Sequence, residues 1–207
     1  MNQLQLGQYI DALLFATVKH QDQRRKDGVT YLVHPIGVSK ILIECGITDI
    51  KALQAALLHD TVEDTHTTFE EIETTFGKEV SDIVREVTDD KSLPKITRKK
   101  LQVEHAKTCS LGAKYVKYAD KIHNLNNLIT DIPCAFKPYC IAQGYFVWSC
   151  KVVESFKGIN PMLDQKFNDV LQGKITDDDG VQRPALPEGD LDILLEKYYQ
   201  DLATYSK

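Results

Sequence analysis

The chain has 207 residues, 43% of them hydrophobic and 27% charged, with a formal net charge of −5; this composition fits one globular domain, or a domain with an extension. The acidic balance argues against a general nucleic-acid binder, which needs a basic surface to neutralise phosphates, while leaving room for a small phosphorylated ligand on a local basic cluster. No apolar run reaches the roughly 20 residues of a membrane helix, and "ALLFATV" near the start has neither a basic leader nor a small-residue cleavage site after it.

Leu6, Ile10, Leu13, Leu14 and Val18 recur at helical spacing and predict a helix over 4–20. "KHQDQRRKDGVTYLVHP" breaks the period and reads as a loop into a helix that has Pro35 in its first turn and Gly46 past its end. Residues 49–62 are strongly apolar and predict a buried helix with Asp49 as N-cap. Thr67 or Thr68 with Glu70 or Glu71 resembles a capping box, opening a short helix that stops at Gly77. Another short helix follows over 79–88. "DDKSLPKITRKKLQVEHAKTC" is polar and basic, a loop and then a helix. "GAKYVKYADKIHNLNNLI", "KPYCIAQGYFVWSCKVVESF" and "NPMLDQKFNDVLQ" each predict a helix. From 172 the texture changes: "GKITDDDGVQRPALPEGD" reads as an exposed linker, and "LDILLEKYYQDLATY" as a last amphipathic helix able to dock back. No strand is predicted. The expected fold is all-α, a bundle of about eight to ten helices with an extra C-terminal helix: residues 1–171 as the main domain, 172–207 as an acidic linker and docked helix. The five cysteines, at 45, 109, 134, 140 and 150, form no CxxC pair and read as reduced thiols of a cytoplasmic protein.

The stretch that asks for an explanation is "ALLHDTVEDT". It sets one imidazole and three carboxylates, His59, Asp60, Glu63 and Asp64, at the end of an apolar helix. Continued helix would stack His59 over Glu63 and Asp60 over Asp64. Buried there, such groups are costly unless something pairs with them, and acids at a C-terminal helix end oppose its dipole. A divalent cation is the economical partner, and a mixed imidazole–carboxylate pair suits Mn²⁺, Fe²⁺ or Zn²⁺ better than Ca²⁺. Further ligands are sought in His34 of "YLVHP" and in Asp120, a carboxylate within the apolar helix "VKYADKIHNL". His20, His66, His105 and His123 show no partner pattern and read as surface or packing residues.

"YLVHP", "LLHDTVEDT" and "VKYADKIHNL", in that order, resemble the H…HD…D signature of the HD superfamily of metal-dependent phosphohydrolases. "HDTVEDT" with "RRKDG" upstream is similar to the hydrolase domain of RelA/SpoT alarmone enzymes, and "EVTDDKSLPKITRKKLQVEHA" to the stand-alone small hydrolases of the metazoan SpoT homologue type. The resemblance spans roughly residues 5 to 165. It implies an HD-domain bundle and an Mn²⁺-dependent 3′-pyrophosphohydrolase acting on guanosine tetra- or pentaphosphate. His34, His59, Asp60 and Asp120 would be ligands to one ion, Mn²⁺ or another divalent transition metal. Glu63 and Asp64 would activate or position the attacking water, and Arg25 and Lys26 would meet phosphate. Asn124, one turn after Asp120, would contact the nucleoside. Lys95, Arg98, Lys117 and Tyr145 would line the substrate cleft. Relatives often carry Arg where this chain has Asn126, so the alternatives are another nucleotide phosphohydrolase, such as an NADPH 2′-phosphatase, or a non-catalytic nucleotide sensor. The expected partner is a phosphorylated nucleotide, with neither nucleic acid nor membrane; the oligomeric state stays open.

Overall fold

Helices carry almost all of the regular structure in the computed structural model, which describes residues 2–25, 28–130, 132–133 and 136–205. They run α1 (Gln3–Lys19), α2 (Val33–Glu44), α3 (Ile50–Leu58), α4 (Thr61–Asp64), α5 (Phe69–Phe76), α6 (Lys78–Val87), α7 (Lys95–His105), α8 (Leu111–Thr130), α9 (Tyr139–Val153), α10 (Pro161–Leu171) and α11 (Leu191–Tyr205). None is long and apolar enough to cross a membrane. Two compact units divide the chain: residues 1–93 with 108–120, and residues 94–107 with 121–207.

The first unit is organised around α3. Every residue from Ala52 to Leu58 is buried, so this helix is apolar all round and needs neighbours on every side. It packs against α1, α2 and α6. Asp49 caps its start by accepting from the Lys51 amide at 3.0 Å. Its only buried polar side chain of the helical run, Gln54, donates to the Gln8 carbonyl of α1 at 3.0 Å. The ends of α2 and α5 follow their local signals. After Glu44, Gly46 takes φ +78°, its amide bonds Ile43 O and the Ile47 amide bonds Leu42 O, both at 3.0 Å, which is a Schellman stop. Thr68 opens α5 by accepting from the Glu71 amide at 3.1 Å; the reciprocal half of the box is missing because the Glu71 carboxylate is held by Lys19 at 2.8 Å.

The apolar helix expected over 49–62 ends instead at Leu58, and a separate short turn, α4, follows. Side chains explain the break. Thr61 Oγ1 donates to Leu58 O at 2.7 Å, and His59 Nδ1 to Ala56 O at 2.8 Å. Both carbonyls acquire side-chain donors just where the helical ladder would continue. His59 and Asp60 therefore sit at a corner, and the stacking of His59 over Glu63 expected for one continuous helix gives way to a turn.

In the second unit α9 packs against α7 and α11. Trp148 Nε1 donates to Lys99 O at 2.9 Å, and the Lys99 ammonium lies 3.5 Å from the Trp148 ring centroid. Residues 174–184, expected as exposed linker, depart from all-α: strands β1 (Lys174–Thr176) and β2 (Gln182–Pro184) pair antiparallel. The "DDDG" run makes the turn. The Asp177 carboxylate accepts from the Asp179 and Val181 amides at 3.0 and 2.8 Å, and Gly180 supplies φ +82°.

The close approach of α11 to α9 depends on Gly144, whose missing Cβ leaves the room taken by the Tyr198 ring. Gly144→Ala forces that buried ring to move, and overpacking of this kind costs about 1–3 kcal/mol. Chemical denaturation should show a fall of that size.

Candidate metal centre

Four side chains expected to act together do meet in the first unit. His34 follows the first residue of α2, His59 and Asp60 form the corner after α3, and Asp120 projects from α8. Both imidazoles are buried, 4% and 5% exposed. His34 Nε2 lies 3.2 Å from His59 Nε2, 3.1 Å from Asp120 Oδ1 and 3.5 Å from Asp60 Oδ2. His59 Nε2 lies 3.1 Å from Asp60 Oδ2 and 3.8 Å from Asp120 Oδ1. Because Ala56 O can only accept, His59 Nδ1 carries its proton, and the Nε2 lone pair faces the cluster.

These separations test the site for a metal. Ligands about 2.0–2.1 Å from a transition metal are roughly 3.0 Å apart at right angles and roughly 3.4 Å apart in a tetrahedron. Three of the observed separations, 3.1, 3.1 and 3.2 Å, fall in that range, and the other two, 3.5 and 3.8 Å, are slightly wider. Two imidazole nitrogens aimed at one point also need something positive between them. In the protein alone, a proton does this. Burial lowers the His59 pKa, but the Asp60 and Asp120 carboxylates outweigh it and hold the imidazole up at about 9. Burial also raises the Asp60 pKa, and His59 and His34 overcome it, keeping that carboxyl well below the usual range. Neutral nitrogens and anionic oxygens converging on one point fit a divalent cation.

Glu63 and Asp64 sit on α4 beside this cluster. Burial pushes the Glu63 carboxyl up to about 7, against the opposing pull of a backbone hydrogen bond. That bond is donated by the Asp89 amide to Oε2 at 3.1 Å. Asp64 is tied to Lys91, whose ammonium also lies 4.0 Å from Glu63 Oε1. The Asp64 carbonyl accepts from Gln23 Nε2 at 3.1 Å.

Three contributors escaped the sequence reading. Tyr31 donates its hydroxyl to Asp60 Oδ2 at 2.5 Å, although it opens the same "YLVHP" that carries His34. Its phenol is held neutral, burial and the Asp60 charge both raising its pKa. Lys91 and Gln23 are the others; neither has a signal beyond polarity in a loop. Of the remaining expected residues, Arg25 lies in the turn closed by Gly28, its amide bonding Val29 O at 2.7 Å, and Lys26 falls outside the described residues. Lys117 is buried on α8, three residues before Asp120, close enough to Cys109 to oppose the upward push of burial on that thiol. Lys95, Arg98, Asn124 and Tyr145 belong to the second unit. There Tyr145 is buried in α9, its ring 5.1 Å from both Phe136 and Trp148.

The HD domain family model matches residues 12–135, a span that contains the four converging side chains and the Glu63–Asp64 pair. This chain belongs to the HD domain family. Guanosine-3′,5′-bis(diphosphate) 3′-pyrophosphohydrolase MESH1 of Homo sapiens is 52% identical to this HD domain protein over 169 residues, 80% of this chain and 94% of the human one. The Xenopus tropicalis protein of that name is 53% identical over 162 residues, 77% of this chain and 90% of its own. Among solved structures, a metazoan orthologue of SpoT, reported to hydrolyse ppGpp and to play a role in starvation responses, superposes with a TM-score of 0.75. It is 46% identical, covering 79% of this chain and 93% of its own.

Proposed function

We propose that this HD domain protein is a guanosine-3′,5′-bis(diphosphate) 3′-pyrophosphohydrolase that uses Mn²⁺ and acts in the cytoplasm, releasing pyrophosphate from ppGpp and pppGpp to leave GDP and GTP. The observation that carries the chemistry is the convergence of His34 and His59 nitrogens with Asp60 and Asp120 oxygens beside a half-buried Glu63. The substrate follows from relatives that match nearly end to end. Residues 1–171 would be the hydrolase domain and 172–207 its extension.

His34, His59, Asp60 and Asp120 would hold the ion, Mn²⁺ suiting a mixed nitrogen and oxygen donor set. When bound, the ion supplies Lewis acidity, offsetting charge on the phosphoryl group and acidifying an attacking water. The chain's own residues do the rest. The Glu63 carboxylate takes the proton of the attacking water, at a pKa near the working pH. The Asp89 amide orients that carboxylate, and Lys91 keeps Asp64 alongside. As the new P–O bond forms, the bond from phosphorus to the 3′ oxygen breaks, and the 3′ oxygen leaves as a hydroxyl, taking a proton from solvent or the one that Glu63 accepted from the water. Arg25, Lys26, Lys95, Arg98 and Lys117 are assigned to the phosphates, where an Arg presents a planar fork and a Lys a point charge. Asn124 and Tyr145 are assigned to the nucleoside. The test is pyrophosphate release from ppGpp by metal-stripped protein with and without Mn²⁺, beside phosphate release from NADPH. Mn²⁺-dependent pyrophosphate release is expected. Phosphate from NADPH with inert ppGpp would keep the site and replace the substrate, and inactivity in both would leave a nucleotide sensor.

Tyr31 gives this reading a sharper check. Its hydroxyl fixes the Asp60 oxygen that faces both imidazoles, and loss of such a supporting hydrogen bond weakens metal binding about 10- to 100-fold. Tyr31→Phe should show that loss in a direct Mn²⁺ titration. An unchanged affinity would remove Tyr31 from the site.

A further inference from the structure

Helix α1 is inside out. Its fully buried residues are two alanines, Ala12 and Ala16, while its large aliphatics face solvent: Leu4 is 74% exposed, Leu14 59% and Val18 63%, with Leu6 and Ile10 also exposed. The periodicity that marks this segment as a helix therefore records an outer face, not the face that packs on α3.

Leu6, Ile10, Leu14 and Val18 lie four residues apart, one unbroken stripe. Gly7, Ile10, Leu14 and Thr17 trace a seam at spacings of three and four, as between paired helices. Gly7 has open space at its Cβ position, which lets a second backbone come close. With Leu4 the stripe offers on the order of 500 Å² of apolar surface, at the upper end for a monomer's largest patch. Beside it lies a groove of about 650 Å³ between α1 and α5, where Leu14, Phe15, Val18 and Phe76 share the lining with polar residues, Asp11 and the Lys19–Glu71 pair among them.

From these observations we infer that the outer face of α1 is a homodimer interface, on which α1 of a second copy of this chain packs antiparallel about a two-fold axis near Ala12. Charge selects this occupant. Across α1 only Asp11 and Lys19 are charged, and Lys19 is already paired with Glu71. A helix that lies on a membrane carries a basic polar face, and one specific for a different protein is usually flanked by charges that select it. A two-fold that crosses the exposed stripe midway between Ile10 and Leu14, level with Ala12 on the opposite buried face, pairs residue numbers that sum to 24: Leu6 with the second copy's Val18, and Ile10 with its Leu14. Aliphatic meets aliphatic at each step. The same register sets the second copy's Leu4 and Leu6 toward the groove, extending the contact toward the roughly 800 Å² per partner that a standard interface buries. The face is isologous, as a closed dimer requires.

Sedimentation velocity on the full chain, over a hundredfold range of concentration, should show a species of twice the 23.4 kDa chain mass. Ile10→Glu and Leu14→Lys, both on exposed positions, should each weaken self-association at least tenfold while leaving the far-UV spectrum unchanged. Mixing the two variants should restore the dimer, because the carboxylate introduced at position 10 of one chain would then face the ammonium introduced at position 14 of the other, and the second such contact would stay native. A monomer at every concentration would overturn the inference, as would a dimer indifferent to both substitutions or one that mixing fails to restore. Binding to neutral lipid vesicles by a protein that stays monomeric would overturn it too, assigning the face to a membrane.

Discussion

His59→Ala should reduce hydrolysis by about a thousandfold or more and abolish metal retention, because a metal's stabilisation of transition-state charge is worth several kcal/mol. The substitution removes one of two nitrogens that stand 3.2 Å apart and leaves Asp60 and Asp120 facing His34 alone. Asp120→Asn should give a comparable loss by another route: it keeps the shape and removes one of two negative charges. The double variant should be hardly worse than either single one, since residues acting as one unit are not additive. Two readouts separate this from misfolding. Metal content after gel filtration should fall to background in both variants, and the rise in melting temperature expected of the wild type with Mn²⁺ should vanish. A His59→Ala protein that still melts higher with Mn²⁺ and still turns over would refute the ligand assignment.

The same side chain predicts how affinity varies with pH. In the metal-free protein the carboxylates hold His59 at about 9, above the 6.5 of an ordinary imidazole. A raised folded-state pKa means that the protonated imidazole stabilises the fold fully below about 6.5, and that this contribution is lost as pH rises through about 9. A divalent cation held by these ligands would compete with that proton, so Mn²⁺ affinity should climb as pH rises toward about 9 and then level.

What could be read in the sequence divides by the range of the interaction. His59 and Asp60 were legible because a buried helix cannot end in such groups without a partner, and Asp120 because a carboxylate breaks an otherwise apolar face. The end of α2 at Gly46 and the start of α5 at Thr68 were legible because caps are local. The corner at His59 was not: the helix yields there to the side chains of Thr61 and His59 capturing Leu58 O and Ala56 O, and either residue could equally have continued the helix. Tyr31, Gln23 and Lys91 act across 29, 41 and 27 residues of chain, beyond the reach of any spacing rule. The β1–β2 hairpin was hidden by its own turn, because acids and a glycine mark both a linker and a tight loop; only the Asp177 side chain closing on its neighbours' amides separates the two. In α1 the period marked the helix but could not say which face packs: the alanines opposite the aliphatic stripe are the buried residues.

Glu63 governs the second large effect. Its carboxyl is pushed up to about 7 by burial, with Asp89, Asp60 and Asp64 adding negative charge around it. A base must be ionised to take a proton, so kcat/KM should fall about tenfold for each pH unit below that pKa and flatten above it. A cation on the neighbouring ligands favours the ionised form, so the limb in the metal-loaded enzyme lies at or below pH 7. Glu63→Gln keeps the size and an oxygen for the Asp89 amide but cannot take the proton; it should cost about 10²- to 10⁴-fold and erase the acid limb, while Mn²⁺ still raises the melting temperature. Asp64→Asn should behave differently. Asp64 is already bound to Lys91, so its loss frees that ammonium, 4.0 Å from Glu63, to pair with the base and lower its pKa. The limb should then shift to lower pH and remain, with a smaller loss at the plateau. If Glu63→Gln kept the wild-type limb and Asp64→Asn erased it, the two acids would exchange roles: Asp64 would be the base, and Glu63 the residue that holds it in place.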